Sequence, residues 1–417
     1  MSKAKVQTDS TPAVPSADKS AGTAGKENGQ TAAKCRHFGD CGGCQIQDLE
    51  YERQLEKKGL ALDALFEPAG WRTPIDVKPS PDRWYYRNKM EFSFQDVYPV
   101  PPSGEDHLLL GLKRRQRWDK VLNLSECHLM SVESASLIQA VHDWARREKL
   151  EPYNLHKQIG FLRHLVVREA KGTGDRMVLL VTSPGELPKQ SFVSAVRSSY
   201  PATTVLWGTN KKKSDVAKSD VLEVLEGPGT ITESVLGRQF RISPHSFFQT
   251  NTRAAERLYS RIREWLGEIK PKNLLDLYCG SGGISLCVAD CCEFVLGVEE
   301  VASAVEDAQR NAQDNGVKNA QFIAAKVEEL LPTFATTEPR ADAVILDPPR
   351  SGLHPSTVKA LKQLCPEWVV YVSCNPKAMA EDVQRLGDYY ELQRLEAFDL
   401  FPHTEHVEAL GLLHSLY

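Results

Sequence analysis

The 417-residue chain has no apolar run long enough to cross a bilayer, which takes about 20 predominantly apolar residues as a helix. A helical membrane anchor is thereby excluded. An apolar stretch near the N-terminus of the kind that marks secretion is also lacking, so a cytoplasmic location is expected. In that reducing compartment the ten cysteines serve metal binding, catalysis or packing rather than disulfides. An excess of one charge is missing too: 51 Lys and Arg stand against 55 Asp and Glu, a formal net charge of −4. This argues against a general binder of polyanions, the more so because acidic residues outnumber basic ones over 241–417. Any contact with nucleic acid is expected to be local and to come from the N-terminal half. Residues 1–34 have almost nothing large and apolar, and a segment that cannot bury surface is expected to be a disordered tail.

What is present is ordinary for a folded protein, with 41% hydrophobic and 25% charged residues, and the length allows two or three domains. The first unusual stretch is Cys35-Arg36-His37-Phe38-Gly39-Asp40-Cys41-Gly42-Gly43-Cys44. Its glycines let a backbone wrap closely and aim N–H groups at sulfur. Cys127 is the only other cysteine in the first 278 residues. Cys35, Cys41, Cys44 and Cys127 are therefore assigned to one 4Fe-4S cluster, with a zinc ion on the same four thiolates as the alternative. A fourth thiolate closes the site, which suits a structural role. His37 and His128 stand nearby and are read as bystanders. Helical periodicity continues over 48–66, so 35–74 form a small iron–sulfur loop and helix region.

Residues 75–240 read as an α+β domain with antiparallel pairing. Residues 84–98 are strand-rich, with Arg87 and Lys89 alternating on one face. A strand pair is expected to flank 101–106, with Lys113 to Trp118 on the returning strand. Cations beside a tryptophan suit phosphate contact and base stacking, or else a charged sheet edge that resists aggregation. From 241 onward strands alternate with helices, the pattern of a doubly wound parallel sheet.

Four strand ends in this last domain carry the chemistry. Asn273 to Leu277 breaks into Tyr278-Cys279-Gly280-Ser281-Gly282-Gly283, a turn in which a backbone approaches a ligand closely. The next strand ends in Glu299, placed to take both hydroxyls of a ribose. The third glycine of a dinucleotide fingerprint is replaced by Ser285, so S-adenosylmethionine fits better than NAD. Ala343 to Leu346 delivers Asp347-Pro348-Pro349-Arg350, a rigid turn presenting a carboxylate at the sheet edge. Val369 to Ser373 runs into Cys374 and is broken by Asn375-Pro376, placing the thiol at the rim of a pocket.

Taken together, CRHFGDCGGC with the later Cys127, YRNK at 86–89, SFFQTN at 246–251, DLYCGSGG at 276–283, GVE at 297–299, DPPRSG at 347–352, SCNP at 373–376 and FPHTEHVE at 401–408 resemble the RNA 5-methyluridine methyltransferases. The likeness is to the iron–sulfur branch that modifies 23S ribosomal RNA, with transfer RNA as the alternative substrate. The resemblance implies a Rossmann-like class I methyltransferase domain over 241–417. It implies Cys374 as nucleophile and Glu408 as general base. Gln249, Tyr278, Glu299 and Asp347 match positions at S-adenosylmethionine or its pocket, and Cys35, Cys41, Cys44 and Cys127 match the ligands of a 4Fe-4S cluster. By spacing alone Glu405, His403 and His406 rival Glu408 as the base. Phe247, Phe248 and Phe401 are candidates to stack on an unstacked uridine. An N-terminal β-barrel carried by some relatives is not seen before Cys35, so RNA affinity is expected from the central domain. Lys326-Val327-Glu328 departs from the family at the adenine. A monomer with no obligate protein partner is expected. Two further readings compete, an amino-group methyltransferase using Asp347 to Arg350 and a non-catalytic RNA-binding protein.

Overall fold

The computed structural model describes residues 29–97, 107–334 and 340–417. The stretch around 101–106 and most of the expected tail lie outside these residues. Residues 29–34, expected in the tail, are instead hydrogen-bonded to the segment around Asp48 and Glu50. Thr31 N donates to Asp48 O at 2.7 Å and Glu50 N to Gly29 O at 2.8 Å. Lys34 lies over the rings of Trp84 and Tyr85 at 5.0 and 4.9 Å.

The chain then forms α1 (Tyr51–Phe66) and a two-residue strand β1 (Val77–Lys78). A central unit comes next: β2 (Lys89–Asp96), β3 (Leu108–Arg114), β4 (Arg117–Asn123), α2 (Glu133–Arg147), β5 (Leu162–Glu169), β6 (Arg176–Thr182), α3 (Lys189–Ser199), β7 (Thr204–Thr209) and β8 (Val221–Glu226). Its seven strands run in the order β4-β3-β2-β5-β6-β7-β8, antiparallel except for β6 against β7. Met90, Phe92, Leu165, Val167, Val178 and Leu180 point to one face of this sheet and are buried together with Leu137, Val141 and Trp144 of α2. That alternation is the period of two expected of strands packed on helices. Lys113 to Trp118 is not one returning strand. Lys113 and Arg114 end β3, Arg115 and Gln116 make the turn with Gln116 at φ 57, and Arg117 and Trp118 begin β4. Arg87 also precedes β2 rather than lying within it.

A hairpin, β9 (Ile231–Val235) and β10 (Arg238–Ile242), leads through α4 (Thr252–Ile269) into the last unit. The boundary drawn at 240/241 falls inside β10, and Ile231, Val235, Phe240 and Ile242 share a core with α4. Asn251 caps α4 by accepting from Ala254 N at 3.2 Å. The remaining elements are β11 (Asn273–Leu277), α5 (Gly283–Val288), β12 (Phe294–Glu299), α6 (Ala302–Asp314), β13 (Ala320–Ala324), α7 (Val327–Phe334), β14 (Ala343–Leu346), α8 (Pro355–Leu364), β15 (Trp368–Ser373), α9 (Pro376–Leu386), β16 (Tyr390–Phe398) and β17 (Glu408–Ser415). The eight-stranded sheet has the order β1-β16-β17-β15-β14-β11-β12-β13. β13, β12, β11, β14 and β15 are parallel, and β17 inserts antiparallel beside β15. The inner strands β11, β14 and β15 are buried on both faces, which is why they read as continuous apolar runs, whereas the edge strand β13 is largely exposed.

The N-terminal region is part of this last body. β1 pairs in parallel with β16, Val77 opposite Ala397. Leu62 and Phe66 of α1 are buried with Met379 and Val383 of α9. Lys58 Nζ donates to Asp399 Oδ1 at 2.7 Å, and both side chains are almost fully buried. No helix among the described residues is long and apolar enough to cross a membrane.

Candidate active site and cysteine centre

Parallel strands leave their carboxyl ends at one edge, and here four turns meet there. β15 ends at Ser373, paired with Ala409 of β17, so Cys374 and Glu408 flank a matched pair at the same end. β14 ends at Leu346 and hands on to Asp347, while β11 ends at Leu277 and hands on to Tyr278. The turns are tied to one another. Asn375 Nδ2 donates to Arg350 O at 2.7 Å, and Asn375 N to Ser373 Oγ at 3.1 Å. Asp347 N donates to Leu277 O at 3.3 Å. Gly352 closes the turn at φ 76, and a Cβ there would meet Asp382 Oδ2 at 2.8 Å. Asp382 in turn accepts from Leu353 N at 2.8 Å and Tyr371 OH at 2.5 Å, so this turn has little freedom.

The electrostatics of this pocket are dominated by buried acids. Both carboxylate oxygens of Glu408 are buried without a hydrogen-bond partner among the described residues. Burial and then Asp347 push Glu408 well above the usual carboxylate range, with Arg350 opposing. Asp347 is pushed up to about 7 by burial and by Asp276. Asp276 is pushed up to about 7 by burial, although Ser285 donates to it. The Cys374 thiol is pushed up to about 11 by burial, then Glu408 and Asp347, with Arg350 lowering it. Arg350 is thus the pocket's nearby cation. Its Nη2 lies 3.3 Å from His406 Nδ1.

Of the other expected positions, Tyr278 and Glu299 fall at the glycine turn. Tyr278 has φ 66 and its OH lies 3.4 Å from Glu328 Oε1 and from Thr357 Oγ1. Glu328, where the sequence departs from its family, is therefore beside this tyrosine. Glu299 accepts from Gly280 N at 3.1 Å and Val301 N at 2.9 Å, which holds its carboxylate against the turn. A Cβ on Gly280 would meet nothing within 4 Å, so open space lies beside the turn. Gln249 is buried, and its carbonyl accepts from Asn88 Nδ2 at 2.7 Å. Of the three phenylalanines, Phe248 is buried against Phe240, Phe401 is half-buried and Phe247 is 65% exposed.

The rival bases are occupied elsewhere. His403 stacks on Trp84 at 3.7 Å and bonds to Gln54 and to Arg83 O. Glu405 pairs with Lys57 at 2.8 Å on the surface. His406 faces Arg350. Sequence reasoning missed Arg350 as the cation beside Cys374 and Glu408, and Asp276 as a buried acid. An aspartate inside the apolar run Asn273 to Leu277 was the available signal for the second.

The four N-terminal cysteines line one small cavity with Phe38, Leu112, Leu124 and Leu129. Burial raises all four thiols, Cys41 to about 11 and Cys44 to about 12. Backbone N–H groups oppose this: His37 and Phe38 at Cys35, Gly43 at Cys41, and Leu129 and Met130 at Cys127. Gln47 ties the loop by accepting from Cys35 N at 2.7 Å and donating to Cys44 Sγ at 3.6 Å. His37 accepts from Ser125 N at 3.1 Å, and His128 lies against Tyr85 and Glu126. Among the described residues, the one group of three or more metal-ligand atoms within 4.8 Å of one another is Asp96, His107 and Glu151.

Comparison with known proteins accords with this arrangement. The family model described as tRNA (Uracil-5-)-methyltransferase matches residues 209–415. An uncharacterized RNA methyltransferase of Clostridium tetani is 37% identical over 385 residues, covering 91% of this chain and 83% of the relative. A tRNA (uracil(54)-C(5))-methyltransferase of Pyrococcus horikoshii is 35% identical, covering 92% and 86%. The crystal structure of the Pyrococcus abyssi tRNA (uracil-54, C5)-methyltransferase in complex with S-adenosyl-L-homocysteine has a TM-score of 0.74 at 32% identity, covering 89% of this chain and 85% of that one. With relatives of this identity spanning most of both chains, and the strand-end pocket they share a fold with, the protein belongs to the RNA uracil-C5 methyltransferase family.

Proposed function

We propose that this enzyme methylates carbon 5 of a uridine in RNA from S-adenosylmethionine, with Cys374 as nucleophile and Glu408 as base. The observation that carries the reading is the placing of Cys374 and Glu408 at the same ends of paired strands, beside Asp347 and Arg350. Carbon 5 of uracil is too weak a nucleophile to take a methyl group directly. The Cys374 thiolate adds to carbon 6, and the ring's electrons make carbon 5 nucleophilic. S-adenosylmethionine supplies an electrophilic methyl, and the bond to carbon 5 forms as the bond to sulfur breaks. Glu408 takes the proton from carbon 5, the ring re-forms its double bond, and the Cys374 thiolate leaves. Arg350 favours the ionised forms of both residues. A sulfonium near Asp347 acts in the same direction, so donor binding readies the base.

Glu299 and the open space at Gly280 suit the donor's ribose, Tyr278 opens the same turn, and Gln249 matches a donor-pocket position of the family motif. At the cysteine centre Cys35, Cys41, Cys44 and Cys127, which line one cavity, would hold a 4Fe-4S cluster, with a zinc ion on the same thiolates as the alternative. The cluster's role in this reading is to fold the loop. Gln45 N and Ile46 N both donate to His403 O, at 2.9 and 3.1 Å, so the loop braces the segment that leads to Glu408.

The motif pattern favours 23S ribosomal RNA as substrate. Transfer RNA is the second reading, favoured by the relatives named for uracil 54 of tRNA. RNA containing 5-fluorouridine has no removable proton at carbon 5 and is expected to trap a covalent complex through Cys374. Recovery of no complex from either RNA counts against the mechanism. Mapping 5-methyluridine separately in the rRNA and tRNA of a deletion strain decides between the substrates.

A further inference from the structure

We propose that Lys89, Arg168 and Lys218 form a binding site for a phosphodiester of the RNA strand that carries the target uridine. This rests on the RNA-methylating function above and adds where the strand is held.

The site lies on the second face of the central sheet. Val166, Met177, Leu179, Val181 and Leu206 point to that face and are buried in the core shared with β9, β10 and α4. Lys89, on β2, is paired in register with Arg168 on β5, and paired residues point the same way. One sheet face is thus divided between an apolar half sealed against the methyltransferase body and a charged half beside it.

The charged half is built rather than merely solvated. Arg168 is 3% exposed and its guanidinium donates to Ser246 O, yet its buried Nε has no hydrogen-bond partner among the described residues. Lys89 is 28% exposed and pairs with Glu91 at 2.6 Å. Lys218 is exposed. His245 accepts from Ser219 N at 3.2 Å, which leaves its other ring nitrogen as the donor. Lys89 and Arg168 share Glu91 as their near acid, and Lys218, next to the Ser219 that bonds His245, adds a third positive charge to the patch. Asp307, the other acid facing Arg168, is taken up by Ser243 and Ser246. The crowding is felt by His245, held down to about 4 by burial and then by Arg168, Lys89 and Lys218. A buried donor without a partner and a surplus of positive charge suit an anion with several acceptor oxygens. The site's place suggests which anion. Ser246, which receives Arg168, is succeeded at once by the exposed Phe247, whose carbonyl accepts from Ser281 Oγ of the glycine turn at 3.4 Å. A strand bound here is anchored next to the nucleotide that enters the pocket.

The test uses the full chain with Lys218→Ala and, separately, Lys89→Gln. Binding of an oligouridylate strand is measured across a range of NaCl concentrations, and binding of S-adenosylhomocysteine by calorimetry. Each variant is expected to bind the strand several-fold more weakly at low salt. The log–log salt slope should shrink by about 0.7 for each phosphate left without its cation, the single-strand value. Affinity for S-adenosylhomocysteine should not change. Wild-type slope and affinity in both variants would overturn the site. So would loss of S-adenosylhomocysteine binding alongside RNA binding, since that marks a structural role. If wild type itself binds no RNA and traps no 5-fluorouridine complex, it is the parent reading that fails.

Discussion

The cysteine loop and the catalytic pocket both bury thiols and both raise them, but what surrounds the sulfur differs. Around Cys35, Cys41 and Cys127 the backbone turns N–H groups inward; Cys35 and Cys41 feel the other thiols, Glu126 acts on Cys35 and Cys127, and Arg87 acts on Cys41 and Cys127. Around Cys374 the neighbours are Glu408 and Asp347, with Arg350 opposing them. The first arrangement suits sulfur that stays anionic, as a ligand does. The second suits sulfur that becomes anionic only for part of a cycle and is released again. On the proposed roles, the inert and the reactive cysteines differ in their neighbours and not in their depth.

Substitutions should separate the two centres. Cys374→Ala is expected to reduce turnover below detection and to trap no 5-fluorouridine RNA, while melting temperature and S-adenosylhomocysteine affinity hold. Glu408→Gln should lower turnover by about 10²–10⁴-fold yet let the covalent RNA complex accumulate with natural uridine, seen as a shifted band on a denaturing gel. Cys44→Ser acts on the other centre. Iron content should fall and the unfolding midpoint should drop by about 5 °C or more. If this variant keeps its iron, the four-cysteine assignment is wrong. Lys58→Ala, between the two centres, leaves Asp399 buried without its cation and should cost about 3–5 kcal/mol in a denaturant titration. Pairing it with Asp399→Leu should recover much of that loss.

The smallest effect concerns pH. Asp276 holds its proton to about 7 when folded, against about 3.9 in the unfolded chain. The folded form therefore binds the proton more tightly. Its contribution to stability is full below the unfolded value and is lost as pH rises from about 4 to 7. Asp276→Asn, measured in the unliganded protein, should flatten the stability profile across that window. An unchanged profile would assign the slope to Asp347 and Glu408.

Much of this is legible in the sequence because local chemistry announces it. Pro376 and Asn375 end a strand, Gly280 and Gly282 open a turn, and each such signal lies within a few residues of what it controls. The parallel strands are readable as apolar runs for the same reason. What escapes depends on distant partners. Nothing near Val77 says that it will pair with β16, and nothing near Ile231 says that the hairpin will pack on α4. The break at Arg115 and Gln116 escapes because the run from Lys113 to Trp118 holds no glycine, proline or asparagine to mark it. Residues 29–34 look disordered by composition, yet Gly29, Thr31 and Lys34 are held by backbone and ring contacts that composition does not report.

The ion pair of Lys58 with Asp399 joins residues 341 apart. On a ribosome the lysine emerges long before its carboxylate exists, and α1 has no finished sheet edge to settle on. The N-terminal helix must wait through synthesis of both sheets, so the cysteine loop beside it remains open to whatever delivers metal during that interval. Locking of the front of the chain is thus left to its very end, and a nascent chain stalled before Asp399 should present α1 to added protease.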